Sequence, residues 1–325
     1  MSMQKVKNRS EILFLYDVTD TNPNGDPDEN RPRIDEYTGI NEVTDVRLKR
    51  TIRDHLLYFR EDQEIFVRDR EWKGEVKGKN VEGICDAKET AKKFGKTKDE
   101  LHKNILEKCI DVRLFGATIP LEGVGGGKGD SLTFTGPVQF NIGRSLHRVI
   151  EKHIKGTGGF ASQAGLQQKT FRDDYVLPYS LICFYGIINE NAADKTELTE
   201  EDVKLLLDGI WNGTKNLITR SKTGQVPRLL IKINYKEKNF HIGGLRSSIK
   251  LEPKKEEEAI RSTADYNLNF SSLNDKVEKN EGKIESVDII FDDCEFKDWG
   301  ESLKKKFEEI GITVNVLNPD KLVEG

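Results

Sequence analysis

Two kinds of side chain crowd the segment Asp17–Asp54 (DVTDTNPNGDPDENRPRIDEYTGINEVTDVRLKRTIRD). Carboxylates and amides there could hold a cation; arginines and lysines could hold an anion. Asp20, Asn22, Asn24, Gly25 and Asp26 fit the first seven positions of a calcium-binding EF-hand loop, which a bidentate Glu must close at position twelve. Arg31 stands at that position, and a strand rather than a helix precedes the loop. A positive closing residue opposes a dication, so calcium is not expected. Asp17, Asp20, Asp26 and Asp28 could also form a metal-dependent nuclease cluster. The competing account is simpler, because acids in an Asn-Pro and Asn-Gly loop are commonly turn formers.

The anion side is stronger. Arg31 and Arg33 sit in the loop, and Arg47, Lys49, Arg50 and Arg53 fall within seven residues at the start of a helix. Lys/Arg side chains, loop amides and helix N-termini are the usual phosphate ligands. The same helix charges would equally suit a solvated face. A second basic stretch follows: Ser131–Arg172 holds six Lys/Arg and one acid, Glu151. Arg144, Arg148, Lys169 and Arg172 are its candidates for phosphate contact. Gln163, Gln167 and Gln168 add neutral donors, and Phe160 and Phe171 could stack on bases. A plain surface loop is the alternative. Gly123–Gly129 (GVGGGKG) is no P-loop, since Glu122 occupies the first glycine position of GxxxxGK[ST] and Gly129 follows Lys128. A mobile Gly/Lys loop beside a nucleic-acid backbone suits it better.

Other chemistries find little support. The histidines (His55, His102, His147, His153, His241) are isolated in sequence. The cysteines (Cys85, Cys109, Cys183, Cys294) lack any zinc-type spacing. No metal and no cofactor are expected. The 325 residues are 35% hydrophobic and 33% charged, with a net charge of −4. That is polar for a globular chain, and too acidic for a generic nucleic-acid binder. Charge is unevenly placed, however: Glu281–Glu309 carries ten acids against five Lys. One surface can face phosphates while another stays acidic. With no apolar run long enough for a membrane and no signal-like N-terminus, a reducing cytoplasm is expected.

The elements that must position these residues follow from periodicity. Ile12–Val18 reads as a buried strand. Thr44 caps a helix with Leu48, Ile52, Leu56 and Phe59 in one stripe. Glu61–Lys98 is polar and aperiodic, as an insertion would be. Leu101–Phe115 reads as one helix, and Leu132–Ile142 as a strand bent at Pro137. His147–Lys169 has little to bury. Val176–Ile188 is a strand, and Thr199 opens a helix with Leu198 and Val203 as staple and Asp202 at the capping-box position. Arg228–Tyr235 is the next strand. This order is β-α-β-β-α-β, an α+β ferredoxin-like or RRM-like arrangement with large insertions. A further strand, helix and strand (Val287–Phe291, Trp299 to Ile310, Ile312–Val316) end the chain. Pro253–Ala259 and Asp275–Lys283 look like solvated linkers.

Taken in order, NPNGDP, RPRID, a following TG, VTDVRLKRTIRD, DVRLFG (Asp111–Gly116), FTGPVQFNIGRS (Phe134–Ser145) and LTEEDVKLLLDGIW (Leu198–Trp211) resemble a known family. It is the Cas seven family, the backbone subunits of type I CRISPR effector (Cascade) complexes. The likeness is greatest to the type I-B branch, with type I-C as near relative, and spans roughly residues 9–235.

The resemblance implies an RRM-like palm at 9–60, 99–146 and 173–236. It implies fingers at 61–98 and a thumb-like basic hairpin or loop at 147–172, and it leaves 237–325 unplaced. It further implies a non-catalytic subunit that polymerises with copies of itself along CRISPR RNA. The guide is then presented to target DNA, beside other Cascade subunits and a recruited helicase-nuclease, in antiviral defence and away from any membrane. Asn22, Asn24, Arg31, Arg33, Lys49, Arg50, Arg53, Lys128, Arg144, Arg148, Lys169 and Arg172 would hold the RNA. Phe160 or Leu166 would be the thumb's wedge. Two alternatives stay open: an RNA-cleaving type III-like subunit using a loop Asp, and an RRM-like scaffold without RNA.

Overall fold

In the computed structural model, residues 4–60, 62–76, 79–121, 131–161 and 169–323 are described. The chain runs β1 (Ser10–Thr21), β2 (Ile40–Val43), α1 (Asp45–Phe59), β3 (Glu71–Val76), β4 (Lys79–Ile84), α2 (Ala87–Ala91), α3 (Lys98–Lys108) and α4 (Ile110–Phe115). It continues through β5 (Gly116–Pro120), β6 (Ser131–Thr135), β7 (Val138–Phe140), β8 (Gly143–Arg148), β9 (Lys152–Ala161), β10 (Lys169–Ile188), α5 (Glu190–Thr196), α6 (Glu200–Lys215) and β11 (Gln225–Tyr235). The C-terminal part holds β12 (Lys250–Pro253), β13 (Tyr266–Asn269), α7 (Ser271–Lys279), β14 (Ile284–Phe291), α8 (Lys297–Glu309) and β15 (Thr313–Val316).

The central sheet has the order β15-β14-β11-β1-β10-β8-β2. Within it, β11-β1-β10-β8 is the order into which a β-α-β-β-α-β unit closes, with its first strand in the middle. The α+β, ferredoxin-like reading therefore holds. β1 pairs antiparallel with both β10 and β11. Its continuous apolar run is explained by burial on both faces: Ile12, Phe14, Tyr16 and Val18 face one core, Leu13 and Leu15 another.

The first core is closed by α1 and α6. Thr44 caps α1, its hydroxyl accepting from the Arg47 amide. Leu48, Ile52 and Leu56 are buried as the stripe requires, whereas Phe59 is 58% exposed and stacks on His55. Both capping-box bonds of Thr199 and Asp202 form at the start of α6. The two helices touch closely at Gly209, where a Cβ would lie 2.8 Å from Ile52 Cγ2.

The second face of the sheet is filled by the C-terminal part. Leu245, Ile260, Tyr266, Leu273, Val277, Phe296 and Phe307 pack on Leu13, Leu15, Leu229, Ile231 and Ile233. The segment Asp275–Lys283 is thus no solvated linker: most of it belongs to α7, and Val277 is buried because it plugs this core. Pro253–Ala259, by contrast, is mostly exposed, as a solvated linker would be, and ends in a short 3-10 turn. Beyond β15, Leu317, Leu322 and Val323 return to the first core, and Asn212 Nδ2 donates to the Pro319 carbonyl.

A third, smaller core gathers Phe66, Phe94, Leu101, Ile105, Val112, Ile119 and Phe134. It ignores the boundary that composition places at residue 98. The expected helix Leu101–Phe115 is broken at Cys109, whose backbone is extended. The break lets the buried Asp111 accept from the amides of Phe66 and Val67. The expected strand Leu132–Ile142 is likewise two strands: β6 pairs with β5, and β7 joins the central sheet.

Candidate nucleic-acid interface

Four segments converge at the end of β1. The Asn22 amide donates to the Ser221 carbonyl, and Lys222 Nζ lies 3.3 Å from the Asn22 carbonyl. Asn24 Oδ1 accepts from both the amide and the hydroxyl of Thr44 at 2.9 Å, which fixes the start of α1. The Arg33 amide donates to the Asn24 carbonyl, and the Arg33 carbonyl accepts from Asn41 Nδ2. The Asn-rich loop is therefore a bracket that holds α1 and the α6–β11 connection together. Asn22 is buried, with Nδ2 given to the Asn30 carbonyl and Oδ1 without a donor. A cleft of about 230 Å³ opens beside it, against Ile154 and Tyr175 of the β9–β10 hairpin.

The cations around this bracket fall into two groups. Most have a carboxylate of their own. Arg31 makes two bonds to Glu151 and lies 5.1 Å over the Tyr175 ring, which also stacks with His153. The Glu151 carboxylate holds the Arg31 proton more firmly than usual. Lys49 bonds Asp45 and Gln139, and Arg50 bonds both oxygens of Asp54. Arg53 is paired with buried Asp111 at 2.9 Å and lies over Phe115. Arg144 pairs with Glu42, and Arg148 with Glu257 and Glu258.

The other group has no carboxylate of the described residues within ion-pair distance. Arg47 points to the Thr51 hydroxyl, and its Nε is buried without a partner. Lys222 meets only neutral oxygens, the Asn22 carbonyl and the Ser221 hydroxyl. Burial lowers the pKa of both, and the charge of Arg47 lowers that of Lys222 further. Arg33 Nε is also buried and unpartnered. So is the side-chain amide nitrogen of Gln225, which stands opposite Val18 on the helix side of the sheet. Several donors without acceptors therefore lie together at one end of the sheet.

Of the residues expected from sequence, the structure brings Asn22, Asn24, Arg31, Arg33 and the α1 cations to this region. Arg144 and Arg148 lie on neighbouring β8. Phe160, Lys169 and Arg172 belong by backbone pairing to the strands of the β9–β10 hairpin, where Arg172 opposes Gly156. Lys128 and Leu166 lie outside the described residues. Lys222 carries no local signal; only the fold brings it to Asn22 and Arg47.

The acids expected as alternative metal ligands are dispersed. Asp17 is buried and bonded by Arg228 and Tyr179, and burial raises its pKa. Asp26 accepts from the amides of Asp28, Glu29 and Arg31, which lowers its pKa, as befits a turn former. Among the described residues no group of three or more His, Cys, Asp or Glu is arranged to hold a metal. None of their helices is long and apolar enough to cross a membrane.

Residues 8–271 match the family model described as CRISPR-associated protein Cas7. This chain belongs to the Cas7 family. A CRISPR-associated protein Cas7 from Haloferax volcanii is 33% identical over 301 residues, covering 88% of this chain and 87% of the relative. Among solved structures, a chain of a "CRISPR RNA-guided surveillance complex, pre-nicking" superposes with a TM-score of 0.54 at 10% identity. That comparison covers 97% of this chain and 98% of the other, and at such identity it speaks for the fold. Strands and cores that lie apart in sequence thus form one Cas7-type architecture, and the bracket with its cations sits at the end of its central strand.

Proposed function

We propose that this Cas7-family chain is a non-catalytic backbone subunit that binds the guide RNA of a CRISPR RNA-guided complex. The observation that carries the reading is the gathering of cations and unpartnered donors around the Asn22–Asn24 bracket, on loop, helix and hairpin base together. RNA phosphates fit such a set, since Lys, Arg and side-chain amides are their common ligands. The location also matters. The outer face of the sheet, where RRM domains stack bases, is packed here with the C-terminal core. RNA is therefore held along the sheet's end and the α1 side, with the β9–β10 hairpin as thumb.

Copies of the chain follow one another along the guide, leaving its bases to pair with target DNA while other subunits and a helicase-nuclease join. Sequence recognition then belongs to base pairing and the protein reads backbone, as in other RNA-guided systems. The engagement of Asp17 and Asp26 within the fold supports a role without RNA cleavage.

Purification of the assembly from cells carrying its CRISPR array tests this. Bound small RNA protected from nuclease at regular intervals is expected. A preparation free of nucleic acid would refute RNA binding. Cleavage of complementary RNA in magnesium, abolished by Asp20→Ala, would refute the non-catalytic assignment.

A further inference from the structure

Most cations that the sequence offers to RNA are already neutralised inside the protein. Arg31, Lys49, Arg50, Arg53, Arg144 and Arg148 each have a carboxylate partner, at 2.7–3.3 Å. Such a cation must give up its partner to meet a phosphate, and the released carboxylate then faces the incoming anion. The net gain is small, and few counterions are released. Arg47 and Lys222 differ. Each is half-buried, no acid among the described residues is in contact with either, and the charge of Arg47 bears on Lys222. The charge of Asp54 reaches Arg47, but both its oxygens are taken by Arg50. Holding two like charges in a recess costs stability in the free protein. An anion arriving there relieves that cost.

Resting on the RNA reading above, we propose that Arg47 and Lys222 form the anchor that takes an RNA phosphate, and that the acid-paired cations form a masked rim. Gln225, at the start of β11, and Arg33, in the loop, also carry buried side-chain nitrogens without a partner. The arrangement explains how an acidic chain binds RNA without binding nucleic acid indiscriminately. Charge on the rim is cancelled locally, and the uncancelled charge is half-buried, so a backbone must approach the end of β1 closely to reach it. Lys222 lies far from the sequence blocks that mark the family's RNA-binding loop. It acts on the loop through space, by way of Asn22.

The test is fluorescence anisotropy of the purified protein with a 5′-labelled single-stranded RNA across a KCl series, beside thermal melts of each variant without RNA. Lys222→Met is expected to weaken binding about tenfold and to flatten the log–log salt slope by about 0.7, the share of one single-strand phosphate. It should leave the melting temperature unchanged or higher, because a buried unpaired charge has been removed. Arg47→Met should behave alike. Arg50→Met and Arg144→Met should weaken binding by no more than about threefold, with little change of slope. Equal losses in all four variants would overturn the anchor while leaving RNA binding intact. A lowered melting temperature for Lys222→Met with unchanged RNA affinity would assign Lys222 to structure and also overturn it. RNA binding indifferent to all four would overturn the RNA reading itself.

Discussion

The two faces of the central sheet are equally apolar at their centres and differ in how their covers are fastened. On the helix side, α1 and α6 meet the sheet through Ile52, Leu56, Leu206 and Ile210, and the buried acid Asp208 bonds one helix to the other. It gathers His55, Arg60 and Asn212 at the end of α1. On the other side, buried acids lie within the interface. Glu11 accepts from the hydroxyls of Tyr185 and Tyr235 and the amides of Ile242 and Gly243. Asp17 joins Tyr179, and through it Tyr266, and pairs with Arg228, which reaches Asp292. These acids occupy the two ends of the outward row of β1, with Leu13 and Leu15 between them. Helices can slide along an apolar face. A cover that mixes the helices α7 and α8 with short strands and turns gains its register from directional bonds, whose partners are costly to leave unmade.

The comparison predicts a graded set of outcomes. The largest effect tests whether the outer cover is one unit with the palm. Phe307→Ala should cost ~3–5 kcal/mol, as large-to-small changes in a sealed core do. Because both cores share β1, unfolding followed by tryptophan fluorescence and circular dichroism should remain a single, lowered transition. Two separate transitions would break the picture and make the C-terminal part an independent attachment. Next is the polar fastening. Glu11→Gln places an NH₂ among four donors and should cost ~1–3 kcal/mol. A neutral result in urea titration would reduce the buried acid to a passenger.

On the helix side, Thr199→Ala removes one reciprocal cap and should cost ~1 kcal/mol. A loss as large as that of Phe307→Ala would erase the contrast between the two faces. The smallest effect concerns acid. Hydrogen bonds from His55, Asn212 and Arg60 overcome burial and lower the Asp208 pKa from 3.8 to about 2. A depressed carboxylate stabilises the fold above its unfolded pKa and loses that contribution as pH falls toward the folded value. Wild type should therefore exceed Asp208→Asn in urea midpoint at about pH 6, and the gap should narrow by about pH 3. A constant gap would mean that Asp208 contributes through shape alone.

Much of the fold was legible because its signals are local. A run such as Ile12–Val18, the Thr44 and Thr199 caps and the stripe of α1 each depend on neighbours within one or two turns. The errors have a common origin. The helix break at Cys109 follows from Asp111 being drawn to Phe66 and Val67, residues far back in the chain. The helix over Ser271–Lys279 is polar on most of its surface and reads as a linker; only Leu273 and Val277 are buried. Phe59 continues the stripe in sequence, yet its ring is exposed and stacks on His55.

The candidate site divides in the same way. By itself the sequence determined that an Asn-rich loop leads into a cationic helix and that a basic segment follows at 147–172, and it offered both as candidates for an RNA backbone. Even the pairs Asp45–Lys49 and Arg50–Asp54 stand at i,i+4 spacing and can be read from it. Only the tertiary structure decided which charges remain available. Arg31 meets Glu151 across 120 residues and Arg53 meets Asp111 across 58, whereas Arg47 and Lys222 meet no acid among the described residues. The physical reason is range. Helix and strand formation are settled by neighbours along the chain, but whether a charge is neutralised is settled by what folding brings within a few ångströms.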